Sequence, residues 1–135
     1  MPAPHRPTEH ASDAREALRR LAHTTRQVED PTEIYAILGD LSNGLASLAQ
    51  SLHQIGDFHD RPATKRAWVD GDVRAGRAAS YQVAWELHRA AEMVHQVAGV
   101  IDRAHEVEAT IAYDINDFPD LAPTRRANHE PGLAL

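Results

Sequence analysis

Residues 34–55 read IYAILGDLSNGLASLAQSLHQI, and within them Ile34, Leu38, Leu41, Leu45, Leu48, Leu52 and Ile55 recur in alternating steps of four and three. At 3.6 residues per turn that spacing lays all seven side chains along one side of an α-helix, whereas the two-residue period of a strand would scatter them over both faces. A second stretch repeats the pattern with Val83, Leu87, Ala90, Val94, Val97, Ile101, Ala104 and, after a polar interruption at Glu108, Ile111. Two long helices each carrying one apolar face have to bury it, and the connector between them, marked by Gly56, Pro62, Gly71 and several charges, allows the chain to reverse. The expected architecture is an antiparallel helical hairpin.

Working outward, Asp30-Pro31-Thr32-Glu33 has the form of a helix start, with an acidic cap, proline in the first turn and a glutamate placed to reach back. The helix that follows is expected to stop at Gly56. The next is expected to run from Asp72 to Tyr113, with Gly76 marking a close crossing. A thinner stripe, Ala14, Leu18, Leu21 and Val28, predicts an N-terminal helix capped by Ser12 or Asp13. This divides the chain into a mobile leader at 1–11, a single helical domain at 12–113 and a loosely ordered tail at 114–135. The fold class is all-α: a hairpin with an additional N-terminal helix, forming a three-helix or oligomeric four-helix-type bundle. Gly39 and Gly44 cost the second helix about 1 kcal/mol each, which the seam offsets at about 1.5–3 kcal/mol per fully buried Leu or Ile before entropy is subtracted.

Composition narrows the function. The net charge of −6 and the pI near 5.8 oppose a role in coating nucleic-acid phosphates, since the basic groups (Arg15, Arg19 and Arg20; Lys65 and Arg66) lie among carboxylates. Absence of cysteine removes disulfides, thiolate metal sites and cysteine nucleophiles. No apolar run approaches the ~20 residues that span a bilayer, and the Pro-rich opening lacks the apolar region of a signal peptide. The expected location is the cytoplasm, or outside the cell by a route that needs no cleavable signal.

Chemistry-bearing residues fall into two groups. His88, Glu92, His95, Asp102 and Glu106 share the side of the third helix away from its seam, and Glu92 with His95 has the Glu-x-x-His form of di-iron bundles. A single copy on an outer face reads as a solvated polar surface. His53, Asp57, His59 and Asp60 stand at the end of the second helix, where a protonated histidine suits the helix C-terminus and aspartates serve turn donors. Nucleophile elbows, phosphate loops and dinucleotide fingerprints are missing. The sequence therefore assigns no catalytic, cofactor or metal-ligating residue and expects no enzyme. Charging all nine histidines would move the formal balance from −6 toward +3, a means by which association could respond to acid.

Trp68-Val69-Asp70-Gly71 in the connector and Tyr113-Asp114-Ile115-Asn116-Asp117 after the last helix carry a resemblance. With the order helix, tryptophan-containing connector, helix and tail, residues 31–117 resemble the WXG-type helical hairpins exported by actinobacterial type VII secretion systems, with Trp and Gly here one residue further apart. The resemblance implies that Tyr113 and Asp117 belong to an export signal and that the hairpin pairs with another helical protein. A strong preference for Arg over Lys, 13 to one, is the usage of a GC-rich bacterial genome such as an actinobacterial one.

Taken together, these features predict a non-enzymatic interaction or assembly protein, acting as a homo-oligomer or with another helical protein. Its core or interface would be Ile34, Leu38, Leu41, Leu45, Leu48, Leu52, Ile55, Val83, Leu87, Val94, Val97 and Ile101. A type VII secretion substrate or its partner is the alternative, and a metal-binding bundle a further one.

Overall fold

The computed structural model describes residues 6–61 and 67–114. Among them are three helices and no strand: α1 (Pro7–Thr24), α2 (Glu33–Asp60) and α3 (Val73–Glu108). The all-α class and the hairpin are both present, with α2 and α3 packed closely together. The chain divides into two compact units, one containing α1 and the other, residues 32–112, containing α2 and α3. Each is taken by itself.

α1 starts at Pro7, inside the stretch read as a leader and ahead of Ser12 and Asp13. Proline suits this position because its missing N–H is one that the first turn leaves unused. The Arg6 carbonyl accepts from the amides of Glu9 and His10, and Glu9 in the first turn and His23 in the last complement the helix dipole. None of its residues is buried.

α2 begins at Glu33, with Thr32 in the cap position, and does not stop at Gly56 but continues to Asp60. Glycine ends a helix by taking a positive φ. Among the described glycines only Gly71 does so, and Gly56 stays helical, buried inside the element. At the other side of the connector Asp72 caps α3, its carboxylate accepting from the amides of Arg74 at 2.8 Å and Ala75 at 3.3 Å. α3 ends at Glu108, short of Tyr113. There the Thr110 hydroxyl donates to the Val107 carbonyl at 2.7 Å, offering the backbone an alternative to another helical turn, so Ile111 and Tyr113 lie beyond the helix.

The connector residues Val69 to Asp72 form a tight turn. Asp70 and Gly71 have φ of 50° and 80°, and Val69 and Asp72 exchange amide-to-carbonyl bonds of 3.0 and 2.8 Å. Positive φ at both central residues is the signature of a type I′ turn, for which Asp-Gly is a favoured pair. Gly76 does mark a close crossing, against the connector: a Cβ there would fall 2.1 Å from the Ala67 carbonyl oxygen. Trp68, 63% exposed, does not anchor the connector by burial.

Small residues occupy the closest approach of α2 and α3. Ser42, Ala49 and Gly56 are buried on α2, and Ala84, Ala91 and Ala98 on α3, each set at intervals of seven. The Ser42 hydroxyl donates to the Ala98 carbonyl at 3.4 Å and to the Asp102 carboxylate, and Tyr35 stacks on His105 with ring centroids 4.0 Å apart. These contacts set the antiparallel register, which continued along the hairpin brings Ala49 opposite Ala91 and Gly56 opposite Ala84. Short side chains at a seven-residue repeat let two helices approach closely along their whole overlap. The larger residues stand beside this line: Ile34, Leu38, Leu41, Leu45 and Leu52 on α2 and Leu87, Val94 and Ile101 on α3 are half-buried.

Candidate functional site

The line of small residues gives the hairpin two unlike sides. In each helix the residue one before a buried small residue lies on one flank, and the residue four after it lies on the other. Because the helices run antiparallel, matching flanks fall on the same side of the pair.

On the first side the row is apolar in both helices: Leu41, Leu48 and Ile55 precede Ser42, Ala49 and Gly56, and Val83, Ala90 and Val97 precede Ala84, Ala91 and Ala98. Leu48, Ile55, Val83 and Val97, all expected at the core or interface, are 44, 50, 40 and 49% exposed. A shallow groove of about 310 Å³, lined by Ala79, Gln82, Val83, Glu86 and Leu87, extends this side toward the start of α3. This side of the hairpin is predominantly apolar. Its apolar atoms gain free energy only by being covered.

The second side is polar and brings together residues that the sequence places in two separate groups. His53, four residues after Ala49, and His88, four after Ala84, meet with their Nδ1 atoms 2.8 Å apart. Glu92 Oε1 lies 3.2 Å from His53 Nε2, while Asp57 Oδ1 and Asp60 Oδ2 lie 3.4 and 3.5 Å from His88 Nε2. Gly56 makes room for this arrangement: a Cβ on it would come within 2.9 to 3.1 Å of three atoms of the His88 ring. Farther along, Gly39 underlies His105 in the same manner, its Cβ position 3.3 Å from that ring. Asp57 and Asp60 sit one turn apart at the end of α2.

Of the outer-face group on α3, then, His88 and Glu92 join the residues of α2, and Asp102 receives the Ser42 hydroxyl. His95 and Glu106 remain exposed. Tyr113 stands past the end of α3, and Asp117 lies outside the described residues. The residues that sequence reasoning passed over are the small ones, Ser42, Ala49, Ala84, Ala91 and Ala98. Their signal was their own seven-residue recurrence, hidden beside the larger Leu and Val rows. Among the described residues, no helix is long and apolar enough to cross a membrane. No protein-family model, curated protein or solved structure matches this chain.

Proposed function

We infer that the protein is a non-enzymatic helical assembly subunit whose apolar side docks face to face on the same side of a second copy, forming a four-helix bundle. The observation that carries this reading is the exposure of Leu48, Ile55, Val83 and Val97 along one side of the hairpin. The dimensions are adequate. The 28 residues of α2 give an overlap of roughly 40 Å at ~1.5 Å per residue, and two helices side by side are about 20 Å across. That face covers roughly 800 Å² per copy, the size of a standard specific interface. An isologous pairing also presents each apolar row to its own symmetry mate, so no second surface is needed.

Sedimentation of the untagged chain across a concentration series tests the reading. A mass approaching twice 14.9 kDa supports it, and a monomer at every concentration up to about 100 times the micromolar range of weak association rejects it. Export as a WXG-type hairpin is a second reading, supported by the hairpin form with Tyr113 just beyond its last helix. Secretion of the wild type and retention of Tyr113→Ala by the native host would favour it; equal retention of both would reject it.

A further inference from the structure

We propose that Asp57, Asp60 and His88 form a binding site for one divalent transition-metal ion of the zinc class, with His53 and Glu92 as its positioning residues.

The geometry of the three donor atoms supports this first. His88 Nε2 is 3.4 Å from Asp57 Oδ1 and 3.5 Å from Asp60 Oδ2, and all three atoms lie within 4.8 Å of one another. Ligands about 2.0–2.2 Å from a tetrahedral zinc ion are separated by about 3.3–3.6 Å. The two contacts to His88 thus already have the length of a coordination edge. One imidazole and two carboxylates supply three ligands of a tetrahedral ion, and the half-exposed setting leaves the fourth position to water.

Ring orientation is compatible with it. A carboxylate can only accept, so Glu92 favours a proton on His53 Nε2. Neutral His53 then presents a bare Nδ1, which accepts from His88 Nδ1–H across the 2.8 Å contact. In that tautomer the His88 Nε2 lone pair is directed at Asp57 and Asp60; with a proton on Nε2 the same carboxylates accept it, so the three groups call for a cation between them and a metal ion competes with that proton for the place. The chain Glu92, His53, His88 has the form by which carboxylates and second histidines hold metal-bound imidazoles in position.

The cluster's place in the fold adds two further observations. Asp57 and Asp60 occupy the last turn of α2, where the helix dipole is negative and disfavours a carboxylate. A bound cation reverses that cost. Gly56, buried inside the helix just before that last turn, where glycine is a poor choice for stability, opens the space that His88 fills on its way to the two carboxylates.

The test uses the full untagged chain and Co²⁺ or Zn²⁺ alone. Titration of the wild type with Co²⁺ is expected to give the intense visible bands of a tetrahedral ion, saturating at one equivalent per chain, with Zn²⁺ displacing it. His88→Gln is expected to lower the affinity at least about 100-fold, and His53→Gln about tenfold, as a residue acting through another does. His95→Gln and His23→Gln are expected to bind as the wild type. Asp57→Asn with Asp60→Asn alters only exposed side chains and provides a second variant should His88→Gln fail to fold. The proposal is overturned if the wild type takes up no Co²⁺ at about 100 µM. It is equally overturned if either His88→Gln or the double Asn variant, shown folded by circular dichroism, binds with wild-type affinity and spectrum.

Discussion

Replacing Ala91 by leucine puts the close packing of the hairpin to a severe test. Ala91 is fully buried, and its neighbours along α3, Ala84 and Ala98, are 2 and 5% exposed. If the site had space, three added carbons would stabilise the fold by about 0.8 kcal/mol each. The register instead sets Ala91 against Ala49, 5% exposed, so the new side chain meets the opposing helix and not a cavity. The helices then have to separate, which uncovers the alanines on both sides and weakens the Ser42 bond to the Ala98 carbonyl. Overpacking of this kind costs about 1–3 kcal/mol. For a unit the size of residues 32–112, that corresponds to a fall in Tm of roughly 5–20 °C. Thermal unfolding followed at 222 nm, at one fixed protein concentration, measures it, with Ala36→Leu, the same change at an exposed position of α2 away from the apolar side, as the control. An unchanged or raised Tm for Ala91→Leu, or an equal loss in the control, would refute the assignment of Ala91 to the closest approach.

Two other substitutions probe the local geometry. Gly56→Ala is expected to destabilise the wild type, since the new Cβ meets the His88 ring at 2.9 Å, but to stabilise a His88→Ala background by up to about 1 kcal/mol of helix propensity. Denaturant unfolding of the four proteins of that cycle checks the sign change, and an additive result would place His88 elsewhere. Asp72→Ala removes the acceptor of the Arg74 and Ala75 amides and is expected to cost about 1 kcal/mol; a change within error in the unfolding midpoint would show that the cap is dispensable.

Much of this architecture was legible in the order of residues, because a four-three stripe of Leu and Ile has few other physical solutions. The hairpin followed from Leu38, Leu45 and Leu52 facing Leu87, Val94 and Ile101 across a connector that can turn. Which side of the stripe lies deepest was less legible. A row of alanines contributes little to apolar periodicity, yet only small residues permit the closest approach, so Ala49 and Ala91 are buried while Leu48 and Val97 remain exposed. Gly56 misled for a related reason: its role is to admit the His88 ring, a contact 32 positions away that no local rule contains. The same distance concealed the polar cluster. His53, Asp57 and Asp60 were visible as one group and His88 and Glu92 as another, and only the antiparallel register makes them one. The start of α1 at Pro7 was missed because Ser12 and Asp13 are good caps by composition, while Pro7 is equally suited to the first turn.

The apolar side of the hairpin is the centre of the functional account, and the solution mass of a Leu48→Asp, Val97→Asp double variant tests it most directly. Both positions are 44 and 49% exposed, so the charges stay solvated in a single hairpin but would be buried unpaired in a face-to-face pair. Light scattering is expected to give twice 14.9 kDa, or about 30 kDa, for the wild type and about 15 kDa for the variant, with helical circular dichroism retained. A variant that keeps the wild-type mass and fold, or a wild type that is itself monomeric, would contradict it.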